Sequence, residues 1–167
     1  HKIIRYTVHN RFIEQMNGLS LFARTLWNRL SYNELARIIR EEKPDVAHFH
    51  NTFPLISPSA YYAAKSAGIA VVQTLHNYRL LCPEARFFRG GSVCELCLKR
   101  RFAWPAIRYA CYQNNRAYST ATAAMLALHR ARGTWRNKID AYIVLTEFAR
   151  QKFGEGGLDP KKMFVKP

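Results

Sequence analysis

A chain of 167 residues, of which 49% are hydrophobic and 13% aromatic, is long enough for one folded domain and too apolar to remain disordered. Its longest apolar runs fall well short of the roughly 20 residues that a membrane-spanning helix needs, and no secretory signal peptide opens the sequence. We therefore expect a cytoplasmic protein. The net charge of +15 favours anionic partners, such as phosphates, acidic lipids or nucleic acid.

The first half of the chain alternates strand and helix patterns. Residues 2–8 are rich in β-branched and aromatic side chains and predict a strand, and residues 20–28 predict a short helix. Ser31 and Glu34 form a capping-box pattern that predicts the start of a second helix, which ends before Pro44. The next predicted elements are a strand at Val46–His50, a helix that begins near Pro58 and an apolar strand at residues 69–75.

The second half begins with a long excursion, residues 79–138, which is basic and contains all four cysteines. Beyond it, residues 141–145 predict another buried strand, residues 146–153 a helix and residues 163–165 a last strand. This alternation predicts an α/β, Rossmann-like three-layer domain, with a parallel sheet of at least about four strands and helices on both faces.

Polar residues follow three of the predicted strands. Ligands of parallel α/β sheets bind beyond the carboxyl ends of the strands, so these residues predict a site at one sheet edge. The residues concerned are His48, His50 and Asn51 in the first group, His76 and Asn77 in the second, and Thr146 and Glu147 in the third. We expect Thr146 and Glu147 to serve as a helix cap and a first-turn acid.

Three segments resemble the N-terminal domain of family 4 retaining glycosyltransferases: DVAHFHN at residues 45–51, VVQTLHNY at 71–78 and DAYIVLTEF at 140–148. The similarity covers nearly the whole chain and looks closest to a bacterial subgroup with a Cys-rich insertion after TLHNYRLLCP. The resemblance implies half of a GT-B fold, in which two Rossmann-like domains face each other across a cleft. The N-terminal domain supplies the acceptor site, and the C-terminal domain grips the nucleotide sugar.

The resemblance also implies which parts of the enzyme lie outside this sequence. The first predicted strand looks like the second strand of the family, so the first βα unit is expected to be missing. The donor domain would follow residue 167, and the fragment of residues 1–167 is expected to be inactive alone. Within it, the resemblance makes His76 the candidate catalytic residue, since an imidazole can orient or polarise a sugar hydroxyl near neutral pH. His50, Asn51 and Asn77 are candidate acceptor contacts.

The four cysteines form the pattern C-x11-C-x2-C-x13-C. The pair Cys94 and Cys97 has the spacing at which two thiolates bind one metal ion, and in a cytosolic protein a metal is favoured over a disulfide. We therefore predict a structural zinc held by Cys82, Cys94, Cys97 and Cys111. Reduced buried thiols, a disulfide or an Fe–S cluster are the alternatives.

No acidic residue occurs between Glu95 and Asp140, where basic residues alternate with aromatic ones. Cations and aromatics together are typical of an interfacial membrane-binding surface, so we expect a peripheral position at the inner face of the membrane. The aromatics of the whole excursion include Phe87, Phe88, Phe102, Trp104, Tyr109 and Tyr112. Packing of some of them against the sheet is the alternative.

The function expected from these features is retaining transfer of a sugar from a nucleotide-sugar donor to a glycan or lipid-linked acceptor. The donor would be bound by the second domain, without a catalytic metal. Two alternatives belong to other classes: a nucleic-acid-binding module with a zinc knuckle and a basic arm, and a non-catalytic domain that binds a glycan or assembles with other proteins. The strand and helix alternation disfavours the nucleic-acid module.

Overall fold

Four parallel strands form the central sheet of the protein, whose computed structural model describes residues 3–7 and 18–166. In chain order the strands are β1 (Val46–His50), β2 (Ala70–Leu75), β3 (Phe88–Arg89), β4 (Ser92–Val93), β5 (Ala141–Val144) and β6 (Met163–Val165). The sheet has the order β1-β2-β5-β6, and β3 pairs only with β4, as an antiparallel hairpin. The parallel α/β sheet flanked by helices confirms the predicted fold class.

Seven helices and one 3-10 turn occur in the described residues. They are α1 (Gly18–Leu26), α2 (Arg29–Glu42), α3 (Ser59–Ser66), α4 (Trp104–Arg108), α5 (Arg116–Ala131), α6 (Thr134–Asn137), α7 (Glu147–Glu155) and the turn at Pro160–Lys162. None of these helices is long and apolar enough to cross a membrane.

The main core lies on one face of the sheet. Strand pairing aligns Phe49 with Gln73 and Gln73 with Tyr142, so these three side chains project from the same face, and all three are buried. Helices α2, α3, α5 and α7 contribute side chains to the same core. The opposite face carries His48 and His50 on the edge strand β1, where both are exposed. The edge of the sheet therefore leaves two imidazoles accessible.

Helix α2 begins earlier than predicted. Its N-cap is Asn28, whose side-chain oxygen accepts hydrogen bonds from the amides of Leu30 and Ser31, whereas Ser31 lies buried inside the helix. The predicted capping box of Ser31 and Glu34 is therefore wrong. The cause is tertiary: the Asn28 amide group also donates to the Leu55 carbonyl, so the cap is fixed by a distant loop.

The predicted strand at residues 2–8 is also wrong over its described part. Residues 3–7 have no regular secondary structure and pair with no strand, and Ile3 is almost fully exposed. Residues 2 and 8 lie outside the described residues. A strand without a neighbour leaves its backbone groups unpaired, so β-propensity alone does not create one.

The excursion between β2 and β5 contains more regular structure than its composition suggested. It holds the β3–β4 hairpin, α4, the 16-residue helix α5 and the short helix α6. Asn115 caps α5 by accepting a hydrogen bond from the amide of Tyr118. Helix α5 packs against α1 and α4, so the excursion is docked onto the domain.

Candidate functional site

Two of the predicted site residues meet at the carboxyl edge of the sheet. Nδ1 of His50 lies 2.8 Å from Nε2 of His76, and the two rings stack with their centroids 5.1 Å apart. The strand register explains the contact, because His50 is opposite Thr74 and His76 follows two residues later on the same side. His48 is one step deeper, where its Nε2 bonds to the Thr74 hydroxyl at 2.8 Å.

The short nitrogen-to-nitrogen distance means that one imidazole donates to the other. If His50 donates from Nδ1, a neutral His76 carries its proton on Nδ1 and can donate to a ligand; if His76 donates from Nε2, its Nδ1 can accept. Although His50 is exposed overall, partial desolvation of its ring lowers its pKa, and the neighbouring His48 and His76 lower it further. Neutral His50 therefore persists near physiological pH.

Two asparagines flank this pair. Asn51 follows β1 directly and has a left-handed backbone with φ of +41°, which asparagine tolerates better than most residues, and its side chain is exposed. Asn77 follows His76 and accepts a hydrogen bond from the amide of Arg79, which shapes the turn. Both residues line one pocket together with His76. The structure thus brings Asn51, Asn77 and His76 together, while their roles in binding and catalysis stay predictions.

The pocket beside His76 has further lining residues that sequence reasoning did not select. They include Phe53, Tyr61, Gln73, Arg79, Met125 and Trp135. Tyr61 donates to the Gln73 side-chain oxygen at 2.8 Å, and burial raises the pKa of Tyr61. The proximity of Arg79 to His76 in HNYR could have directed attention to it, but its burial could not be foreseen because it depends on Phe53 and Tyr112.

Thr146 acts as predicted for a helix cap. Its hydroxyl accepts a hydrogen bond from the amide of Ala149 at 3.0 Å, and Glu147 opens α7 as the acid of the first turn. Neither residue lines the pocket beside His76. The two therefore stabilise α7 at this edge of the sheet.

The four cysteines line a different pocket, inside the excursion. Cys82 and Cys97 are buried and Cys94 and Cys111 half-buried, and all four are free thiols. Burial raises the pKa of the Cys97 thiol to about 11, and the nearby Cys82 adds to the effect. In the part of the chain that the structure describes, no group of three or more His, Cys, Asp and Glu side chains is arranged to hold a metal ion. Zinc binding would require the thiols to turn towards a common centre, so the zinc stays a prediction.

If zinc does bind there, the full-length protein isolated under reducing conditions should contain close to one zinc ion per chain by elemental analysis. Replacement of Cys94 by serine should remove most of it, because a hydroxyl is a much weaker ligand than a thiolate. Ser92→Ala, in the adjacent hairpin, is the control. Wild-type protein without stoichiometric metal would rule the zinc out.

The surface of the excursion is basic and partly aromatic. Phe88, Phe102, Trp104 and Tyr109 are each between 42% and 49% exposed, whereas Phe87 is buried and Tyr112 half-buried. Arginines lie against some of these rings, with the Arg89 guanidinium 3.9 Å from the Tyr109 centroid. Seven basic side chains of the acid-free segment are exposed: Lys99, Arg100, Arg101, Arg108, Arg116, Arg132 and Arg136. We call the four exposed aromatics and these seven cations the aromatic–basic surface.

A parallel α/β sheet with a pocket at its carboxyl edge defines a Rossmann-like domain of the kind that binds ligands at the strand ends. The family model described as Glycosyl transferase 4-like domain matches residues 14–142, well over half of the chain. The chain belongs to this family and is a glycosyltransferase domain, as the three sequence segments indicated. No curated protein and no solved structure shows significant similarity to it.

Proposed function

We propose that the domain is the acceptor side of a retaining glycosyltransferase, which transfers a sugar from a nucleotide sugar to a glycan or lipid-linked acceptor. The observation that carries the proposal is the hydrogen-bonded pair of His50 and His76 beside a pocket at the carboxyl edge of the sheet. Membership of the glycosyl transferase 4-like family supports sugar transfer as the reaction.

His76 would act on the hydroxyl groups of the bound sugar or acceptor. No described residue bonds its Nδ1, so that nitrogen is available to a ligand, while Nε2 is held by His50. His50 would then be a positioning residue that fixes the ring and tautomer of His76. Asn51 and Asn77 would contribute amide groups to acceptor hydroxyls, because both line the same pocket.

The nucleotide part of the donor would be bound by a second domain facing this edge, as in the enzymes that the sequence resembles. The decisive assay is transfer of a labelled sugar by the full-length protein from nucleotide sugars to a membrane or glycan extract. A labelled product whose anomeric configuration matches that of the donor supports the proposal. Saturable glycan binding without any transfer would favour a non-catalytic domain instead.

We also propose that the aromatic–basic surface holds the enzyme against an anionic membrane at its cytoplasmic face, where a lipid-linked acceptor is found. Half-exposed rings beside arginines can enter the headgroup boundary while the guanidinium groups meet lipid phosphates. Arg130, by contrast, is half-buried and donates to the carbonyls of Arg100 and Leu80, so it is not counted in this surface. The exposed cations remain accessible to headgroups.

Vesicle binding by the full-length protein should therefore require anionic lipid and weaken when salt rises above about 0.1 M, where screening acts over roughly 10 Å. Trp104→Ala should weaken binding to vesicles of phosphatidylcholine and phosphatidylglycerol by roughly tenfold, the scale expected for losing one inserted aromatic. Phe164→Ala, which removes a somewhat more exposed ring from β6, is the control. Equal binding to pure phosphatidylcholine, or tighter salt-sensitive binding to nucleic acid, would contradict the proposal.

A further inference from the structure

Arg79 is a cation in the wall of the pocket that contains His76. Its guanidinium carbon lies 4.5 Å from the centre of the Phe53 ring and 4.6 Å from that of Tyr112, so aromatic groups cover much of it. One of its N–H groups, on Nη1, donates to the Pro83 carbonyl. Burial in this environment lowers the pKa of Arg79, although an arginine keeps its proton at any physiological pH.

No described carboxylate lies within salt-bridge distance of Arg79. Glu84 is close enough to affect it electrostatically, but the Glu84 oxygens accept hydrogen bonds from Arg86. A guanidinium removed from water without a counter-charge destabilises the fold unless other groups compensate for it. Arg130 is also half-buried, but it donates to two backbone carbonyls, whereas Arg79 donates to one.

Two residues that line this pocket each carry a buried nitrogen donor without a described partner. Among the described residues, Nε of Arg79 and Nε1 of Trp135 are buried and have no hydrogen-bond acceptor. Both residues line the pocket, and both unsatisfied atoms are donors only. A ligand that satisfies them must bring oxygen acceptors, and the uncompensated positive charge favours acceptors that are anionic.

From these contacts we infer that Arg79 binds a phosphate group of the acceptor, with Trp135 as a second donor. The inference rests on the proposed function and narrows the acceptor to molecules that carry phosphate close to the reacting sugar, as lipid-linked acceptors do. A guanidinium matches phosphate because its N–H groups form a planar fork for two oxygens. This site is distinct from the aromatic–basic surface, because Arg79 lines the pocket and is not one of the exposed cations of that surface.

The test uses inorganic pyrophosphate as the probe and the full-length protein without donor. The indole N–H resonance of Trp135, assigned by its loss in Trp135→Phe, reports on binding next to this residue and not on a pyrophosphate site in another part of the protein. Pyrophosphate should shift this resonance saturably. In Arg79→Gln the dissociation constant from the same titration should rise by at least about tenfold, because the charged fork is lost.

Trp135 also borders a second pocket, together with Arg136, so Arg136→Gln is the matched control and should bind pyrophosphate like wild type. If Arg79→Gln does not fold, Arg79→Lys is the deciding variant, because it keeps the positive charge but loses the planar guanidinium fork. Pyrophosphate binding that is at least about threefold weaker in Arg79→Lys supports the inference, and unchanged binding overturns it. Loss of binding in Arg136→Gln alone, or acetate binding as tightly as pyrophosphate, also overturns it. The titration measures pyrophosphate binding and not sugar transfer, so a negative result in the transfer assay would not change its outcome.

Discussion

Replacing His76 with alanine in the full-length protein should lower the rate of sugar transfer by roughly 10²-fold or more, the usual scale for losing a positioned acid–base or polarising group. The fold and nucleotide binding should change little, because His76 is exposed and the donor is expected on the other domain. Rates from labelled product, with circular dichroism spectra of both proteins, measure the effect. A variant with a near-native rate would show that His76 is structural.

Two further variants separate chemistry from shape. His76→Asn retains a side chain that forms hydrogen bonds but cannot titrate, so it should recover part of the ring's positioning role and none of its proton exchange. His50→Ala removes the 2.8 Å contact with His76 and should lower the rate less than loss of His76 itself, while changing the pH profile. His48→Ala is the matched histidine control, because His48 bonds to Thr74 and not to His76. An effect of His48→Ala as large as that of His76→Ala would argue for general disruption of the edge.

The sheet could be predicted from the sequence because its strands are short, rich in β-branched and apolar residues, and separated by helical patterns in the first half of the chain. Val46–His50 and Met163–Val165 were predicted to the residue, and the other two sheet strands to within one residue at either end. The polar residues after β1 and β2 also fell at the same sheet edge, since parallel strands all end there. The predicted ends of two parallel strands were thus enough to place the candidate site at one sheet edge.

What the sequence could not provide depends on contacts between distant segments. The bond between His50 and His76 joins residues 26 positions apart and depends on the register of β1 against β2. Helix α5 is not among the predicted elements, although its cap Asn115 and its alanine-rich run favour a helix. The burial of Arg79 could not be predicted, because it depends on how the excursion folds. One of its aromatic neighbours, Phe53, precedes β2, and the other, Tyr112, lies in the excursion.

His129 connects this excursion to the rest of the domain. It is fully buried, with Nε2 2.9 Å from the Leu26 carbonyl and Nδ1 2.9 Å from the Thr134 hydroxyl. Nε2 donates to the Leu26 carbonyl, and in the neutral ring that burial favours, Nδ1 accepts from the Thr134 hydroxyl. The Thr134 hydroxyl is also 2.8 Å from that of Tyr62, so one network joins α1, α3, α5 and α6.

Loss of this imidazole should therefore destabilise the domain strongly. His129→Ala leaves a cavity and orphans the Leu26 carbonyl, and we expect the free energy of unfolding to fall by about 3 kcal/mol. Denaturant unfolding followed by tryptophan fluorescence is a suitable measurement, because Trp27 and Trp135 both contact the His129 ring. His48→Ala, which removes an exposed imidazole, should cost less than about 1 kcal/mol. Equal losses in the two variants would show that the buried network is not what stabilises this region.

Stability should also depend on pH through His129. Burial lowers the pKa of His129, and the nearby Arg132 lowers it further, against an opposing effect of the bond to Leu26. The unfolded chain therefore binds a proton at a higher pH than the folded one. The contribution of neutral His129 to the free energy of unfolding should be fully present above about pH 6.5, the ordinary histidine pKa. It should decrease as the pH drops below that value, by at most about 1.4 kcal/mol per pH unit for one group.

A variant separates this effect from that of His50, whose pKa is also lowered. The free energy of unfolding of His129→Gln should depend less on pH than that of the wild type between about pH 6.5 and pH 5. An unchanged pH dependence in His129→Gln would mean that the buried ring is not the group that takes up the proton on unfolding.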